Sequence, residues 1–271
     1  MIDIKRISKE TFKYNFHTHT QFCDGRNCME DFVIHAINNG LEHYGFSPHG
    51  PTSISQLCNM SFDSVRDYLE EVNRLKNKYG SYINLYAAME IDYINENENP
   101  ASEYYQKLPL DYRIGSVHYI SSQDGIYVDI DGKQERFKES MERYFYGDIE
   151  YVINKFYTST TKMIEIGGFD IIGHLDKIGH NASFFRPDIE TQPFYTQKVM
   201  DLLDLISEKK LIVEINTKAF YNYNRLFPNE KYFRRIKELN IPVVFNSDAH
   251  YSDKIDSGRY EAKGLFDSVV I

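Results

Sequence analysis

In the stretch from Tyr14 to Gly25, YNFHTHTQFCDG, His17 and His19 stand at i and i+2 directly after a short apolar run. In extended chain that spacing aims both imidazoles at one face, where together they can grip a metal ion. Asp24 follows at an Asp-Gly turn that leaves a carboxylate near the strand's exit. The pairing recurs near the other end, where NSDAH sets Asp248 and His250 at i and i+2. Between them, His49 comes at the proline-and-glycine stop of FSPHG, Glu90 lies inside YINLYAAMEIDYI, His118 ends YRIGSVH, and His174 ends DIIGH. A carboxylate in so apolar a run as that of Glu90 needs a partner once buried. Taken singly, each histidine fits an ordinary core or surface role. Taken together, six histidines and three acids supply nine ligands, too many for one ion that prefers about four to six and enough for two or three. Mixed imidazole and carboxylate donors suit Zn, Mn or Fe better than Ca or Mg, and the absence of cysteine from the set argues against a structural thiolate site.

The elements that must position these groups are short apolar strands alternating with amphipathic helices. Residues 12–19 read as a first strand, and Met29, Phe32, Val33, Ala36 and Ile37 recur at helical spacing before Gly40. Ser61 can cap a helix that carries Phe62, Val65, Tyr68, Leu69, Val72 and Leu75 to Gly80. Residues 134–158 read as one outer helix, Gln197–Lys209 as another, and a last helix through Tyr232, Phe233, Ile236 and Leu239 leads to IPVVFNSDAH. This gives about seven strand-then-helix units with no linker between them, which a single parallel α/β barrel explains best. In such a barrel the loops after the strands gather at one mouth, and His17, His19, His49, Glu90, His118, His174, Asp248 and His250 fall at the ends of predicted strands, with Asp24 in the loop after the first.

Composition sets bounds. The 271 residues are 42% hydrophobic and 26% charged with a formal charge of −9, a balance that disfavours nucleic acid and welcomes a small cationic substrate. MIDIKRISKE has no apolar stretch of signal-peptide length and no later segment approaches a membrane span, so the cytoplasm is the expected location. Cys23, Cys28 and Cys58 read as free thiols, and His35 and His43 as structural.

The ordered set HTH, Asp24, SPH, AAMEID, GSVH, IIGHLD, EIN and NSDAH resembles the motifs of the polymerase and histidinol phosphatase (PHP) family, most of all its stand-alone histidinol-phosphate phosphatases. The resemblance runs from Phe16 to His250. It implies a distorted (β/α)7 TIM-like barrel as a single domain over residues 1–271, a trinuclear metal centre and phosphoester hydrolysis, with L-histidinol phosphate of histidine biosynthesis as the implied substrate. By the same resemblance His17, His19, Glu90 and Asp248 hold one ion. Glu90 bridges to a second held by His118 and His174, and Asp24, His49 and His250 surround a third. Some members of the family have histidine where Asp24 stands.

A phosphate monoester dianion repels hydroxide, and clustered divalent ions cancel that repulsion while lowering the pKa of bound water toward about 7. The expected chemistry is attack by a hydroxide held on the metals without a covalent phosphoenzyme, with Asp248 orienting or deprotonating the water and Glu90 joining two ions. Arg186 is the first choice for the phosphate because guanidinium matches its oxygens as a fork. Lys177, Lys218, His180 and Arg259 compete with it, and leaving-group protonation falls to His180 or water. Glu214 can meet the substrate's ammonium or imidazolium group, or orient a ligand histidine. Phe220, Tyr221 and Tyr223 can line an aromatic pocket. The competing activities are cleavage of another small phosphomonoester or nucleotide, trimming of DNA ends as an exonuclease or repair module, and binding without catalysis. A monomer or small homo-oligomer is expected.

Overall fold

Strands covered on both faces should be buried along their length rather than alternating with solvent. In the computed structural model, which describes residues 2–54 and 58–271, the strands are β1 (Tyr14–Asn15), β2 (His43–Phe46), β3 (Asn84–Asp92), β4 (Tyr112–Ser116), β5 (Tyr119–Ser121), β6 (Tyr127–Asp129), β7 (Ile171–Ile172), β8 (Ile212–Asn216) and β9 (Val243–Asn246), and β1, β4, β7 and β8 are buried throughout. Seven of them form one parallel sheet in the order β1-β2-β3-β4-β7-β8-β9, and β5 and β6 pair as an antiparallel hairpin outside it. The sheet closes between its end strands through a bridge from Thr18 to Ala249 and through side chains. Asn15 Nδ2 donates to Ser247 Oγ at 2.7 Å and the Phe16 N–H to Asn246 Oδ1 at 2.9 Å. A seam made this way, in place of a ladder, is what distorts the barrel.

Helix α1 (Ile4–Glu10) precedes β1, and α2 (Met29–Asn38) and α3 (Val65–Tyr79) follow β1 and β2. The short α4 (Glu103–Lys107) follows β3, and α5 (Gln134–Tyr144) and α6 (Ile149–Ile166) follow the hairpin. Then come α7 (Ile178–Phe185) and α8 (Pro193–Lys209) after β7, α9 (Phe220–Tyr223) and α10 (Phe233–Glu238) after β8, and α11 (Arg259–Ser268) after β9. None of the helices among the described residues is long and apolar enough to cross a membrane.

Alternation along the strands sorts the lumen by height. Ala88, Tyr112, Ile114, Ile171, Ile212 and Val244 pack with Ile4 and Ile7 of α1 into a buried cluster that plugs the bottom. Two residues further along the same faces stand Glu90, Ser116, Glu214 and Asn246, so the lumen turns from apolar to polar toward its mouth. The expected first strand over 12–19 is much shorter, because Phe16 packs in the lumen cluster and His17 also faces inward. Consecutive residues on one face cannot continue a pleated strand. The single outer helix expected over 134–158 is two helices, broken where Tyr146 and Gly147 take φ of 53° and 74°. The β5–β6 hairpin was not anticipated, although the Asp124-Gly125 turn between β-rich runs is its sequence signal.

Candidate metal centre

At the mouth, Glu90 is the hub. One carboxylate oxygen, Oε1, lies 2.7 Å from His174 Nε2 and 3.4 Å from His118 Nε2, and accepts from Ser116 Oγ at 2.7 Å. The other, Oε2, lies 3.2 Å from His17 Nε2, 3.1 Å from His49 Nδ1 and 3.6 Å from His19 Nε2. His19 Nε2 stands 2.8 Å from Asp248 Oδ1, and Asp24 faces His250 Nε2 at 3.2 Å. Donor atoms close enough to share an ion fall into four overlapping sets: His17, His19 and Asp248; Glu90, His118 and His174; His19, Asp24, His49 and His250; and His49, Asp92 and His118. All nine residues picked out by spacing are therefore brought together.

The donor set fits cations by an observation of its own. His17 Nε2, His19 Nε2, His49 Nδ1, Asp24 Oδ1 and Glu90 Oε2 are buried and have no partner at hydrogen-bond geometry. Buried polar atoms are almost always satisfied, because each unsatisfied one carries its full desolvation cost. Clustered divalent ions would take lone pairs from all five.

Acids behind the histidines fix which lone pair faces inward. Glu214 Oε1 contacts His17 Nδ1 at 2.7 Å, and Asp92 Oδ1 contacts His118 Nδ1 at 2.8 Å and accepts the His118 N–H at 3.0 Å. A carboxylate on Nδ1 places the proton there and frees Nε2 for a metal. Burial pushes the Glu90 carboxyl up, but His17, His118 and His49 outweigh it and hold it well below the ordinary range. Burial likewise opposes ionisation of Asp248, and Lys218, His17 and Lys177 reverse that.

Two cations flank Asp248. Lys177 Nζ sits 2.8 Å from Asp131 Oδ2 and 3.9 Å from Asp248 Oδ2, and Lys218 Nζ sits 3.3 Å from Asp248 Oδ1 and 3.3 Å from His250 Nε2. Beside them opens a cavity of about 490 Å³ whose walls include Arg26, Lys218, Tyr221, Tyr251 and Lys254. Phe220, Tyr221 and Tyr223 lie on α9, where Phe220 packs against the core and both tyrosines are exposed, and of the three only Tyr221 is among the residues lining that cavity.

Two of the expected substrate contacts need correction. Arg186 caps the C-terminus of α7 at the surface, where Asp188 at 3.1 Å and Glu150 at 3.2 Å hold its guanidinium away from the mouth. Glu214 has no exposed surface, and its two oxygens already meet His17 Nδ1, the His174 N–H, Asn216 Nδ2 and Asn246 Nδ2, so nothing is left for a substrate cation. Arg259, a competitor for the phosphate, is wholly buried, donates to the Phe245 carbonyl at 2.8 Å and covers the Phe12 ring. His180 stands outside the ligand cluster, against the Tyr223 ring and 3.2 Å from Gln134 Nε2. Burial and Arg225 push its pKa down.

Sequence reasoning missed Asp92 and Asp131. Asp92 had a signal, since Glu90 and Asp92 repeat the i, i+2 spacing of the two histidine pairs. Asp131 had none, because it follows the unanticipated hairpin.

The PHP domain family model matches residues 15–218. The chain belongs to the PHP domain family. Along its length this PHP chain is 25% identical over 268 residues to a Bacillus subtilis histidinol-phosphatase, covering 92% of this chain and 97% of the relative. In structure it is similar to a Listeria monocytogenes protein described as a candidate histidinol phosphatase, at 23% identity and a TM-score of 0.81 over 92% of this chain and 99% of that one. It is also similar to a Lactococcus lactis histidinol phosphate phosphatase in complex with zinc, L-histidinol and phosphate, at 18% identity and a TM-score of 0.69 over 94% and 92% of the two chains. These two structures share the barrel with the PHP chain.

Proposed function

We propose that the chain is a phosphomonoesterase that hydrolyses L-histidinol phosphate to L-histidinol and phosphate with two or three divalent transition-metal ions, Zn, Mn or Fe. The observation that carries this reading is the convergence of nine ligand residues on one mouth, with five of their donor atoms buried and unpartnered. Membership of the PHP domain family and the histidinol-phosphatase relative matched along 92% of the chain support the reaction and the substrate.

His17, His19 and Asp248 would hold one ion, His118 and His174 a second, and Asp24, His49 and His250 a third, with Glu90 shared between the groups. Such ions lower the pKa of bound water toward about 7 and neutralise the phosphate dianion. Asp248, flanked by Lys177 and Lys218, would orient the attacking water. Lys177 and Lys218 take phosphate oxygens on either side of Asp248. His180 stands outside the ligand cluster, so the leaving oxygen draws its proton from water. The chain works on small esters in the cytoplasm, as one domain over 1–271 and as a monomer or small homo-oligomer, and its −9 charge sets it against nucleic acid.

Steady-state kinetics on a substrate panel tests this. L-Histidinol phosphate should exceed p-nitrophenyl phosphate and nucleoside monophosphates in kcat/KM, and parity among the three would sink the substrate assignment. Elemental analysis of gently purified protein should find at least two transition-metal ions per chain.

A further inference from the structure

A second concentration of unpartnered polar atoms lies beneath α7, and no role described above uses it. Asp176 Oδ1, Glu190 Oε2 and Arg225 Nε are buried there without a hydrogen-bond partner, beside the buried hydroxyls of Tyr157, Tyr195 and Tyr232. Three of these side chains meet at one point. A Cβ added to Gly179, in the first turn of α7, would meet Tyr195 OH at 2.3 Å, Arg225 Nη2 at 2.8 Å and Glu190 Cδ at 3.0 Å.

Charge balances within the cluster. Arg225 donates to Glu190 Oε1 at 2.5 Å and to Asp176 Oδ2 at 3.3 Å, and Lys231 Nζ lies 3.9 Å from Glu190 Oε2 and donates to the Glu190 carbonyl at 2.8 Å. Two carboxylates against two cations leave no demand for an ion.

From Arg225 two short paths reach the groups around Asp248. Asp176 directly precedes Lys177, and its Oδ2 also accepts the Asn229 N–H at 3.0 Å. On the other side the guanidinium covers the Phe227 ring. Phe227 pairs with Asn216 in both directions, at 2.7 and 3.1 Å, and Asn216 Nδ2 reaches Asp248 Oδ2 at 3.2 Å.

We propose that Arg225 is a positioning residue: from a buried polar cluster it locks the loop after β7 to the loop after β8 and so sets the Lys177 ammonium beside Asp248. This rests on the reading of the centre as a phosphoesterase. Losing the guanidinium would leave Asp176 and Glu190 with Lys231 as their one remaining cation, and the segment carrying Lys177 would shift to relieve them.

The test is a double-mutant cycle with Arg225→Met, Arg225→Lys and Lys177→Met on the metal-loaded chain. It reads inorganic-phosphate affinity by calorimetry, KM and kcat on L-histidinol phosphate, and metal content. R225M should weaken phosphate binding and raise KM by about tenfold at unchanged metal content, and in the K177M background it should add less than about twofold. R225K, which keeps the charge and suits a chain that tolerates R225M poorly, should recover part of the loss. Wild-type KM and phosphate affinity in a folded R225M or R225K protein, or effects that simply multiply with K177M, would overturn the inference while leaving the phosphoesterase reading intact. A wild-type chain that neither binds phosphate nor turns over the ester would overturn both.

Discussion

Replacing Glu214 by glutamine separates an orienting acid from a substrate contact. Each carboxylate oxygen now accepts from two donors: Oε1 from His17 at 2.7 Å and Asn246 at 2.9 Å, and Oε2 from the His174 N–H at 3.0 Å and Asn216 at 3.0 Å. Whichever oxygen becomes an amide NH2, two donors lose their acceptor and face another donor. Hydrogen bonds to a charged group contribute roughly 1.5–3 kcal/mol each, so the pair is worth about 3–6 kcal/mol in a site with no solvent to relieve it. His17 also loses the carboxylate that keeps its proton on Nδ1, and such losses typically weaken metal binding about 10–100-fold. The assay is metal affinity by competition with a chelator, alongside thermal unfolding and kinetics on both histidinol phosphate and p-nitrophenyl phosphate. We expect E214Q to lose metal affinity and stability together and to slow both substrates alike. Metal affinity within about twofold of wild type, with a raised KM confined to histidinol phosphate, would refute the orienting role and restore Glu214 as a contact for the substrate's cation.

Glu90→Gln should remove two ions per chain and Asp24→Ala mainly one, because the Glu90 oxygens face separate histidine groups while Asp24 belongs to one; equal losses by elemental analysis would undo the assignment of the bridge. Gly173→Ala would press a Cβ to 2.5 Å from Ser116 Oγ, the donor to Glu90 Oε1. Overpacking of this kind typically costs about 1–3 kcal/mol, seen as a lowered Tm and weakened metal retention, and an unchanged Tm would show the site to be slack. In the metal-free chain Glu90, Asp248 and Glu214 all lie below their ordinary pKa despite burial, each because neighbouring cations and histidines outweigh it. As pH falls through the ordinary carboxylate range the unfolded chain therefore takes up protons first, and stability is lost by up to about 1.4 kcal/mol per pH unit for each group. Denaturant midpoints between pH 6 and 3 should fall with pH, less steeply in E214Q, and a flat profile would show that these carboxylates do not stabilise the fold.

The ligand set was legible because the i, i+2 pairs His17 with His19 and Asp248 with His250 stand out by spacing, although both pairs lie just beyond β1 and β9 and not on the strands themselves. The order of the strands followed from their alternation with helices. What could not be read was which partner each group would choose. His17 meets Glu214 across 197 positions of sequence, a pairing set by barrel register, and the sequence left Glu214 equally open to the substrate. Arg186 looked suited to phosphate by chemistry, yet its place at a helix C-terminus with Asp188 two residues on settles it at the surface. Arg225 gave no signal at all, since its partners Asp176 and Glu190 come from separate loops.

Backbone strain at the mouth was equally silent. His174 and Asp248 take φ of 21° and 50° although neither is glycine, and such conformations cost on the order of 1–3 kcal/mol each. Both residues follow short strands, β7 and β9, and the turn out of the pleat keeps their side chains aimed into the mouth. Both are also held by groups anchored on β8. Glu214 accepts the His174 N–H at 3.0 Å and takes Asn216 Nδ2 at 3.0 Å, and the same Asn216 amide reaches Asp248 Oδ2 at 3.2 Å. The acid that orients His17 is thus the one that pins the strained backbone at His174 and, through Asn216, steadies Asp248. A fully buried carboxylate with four donors is the least adaptable group such a site can contain, and that rigidity is what lets two strained residues present their donor atoms in one arrangement.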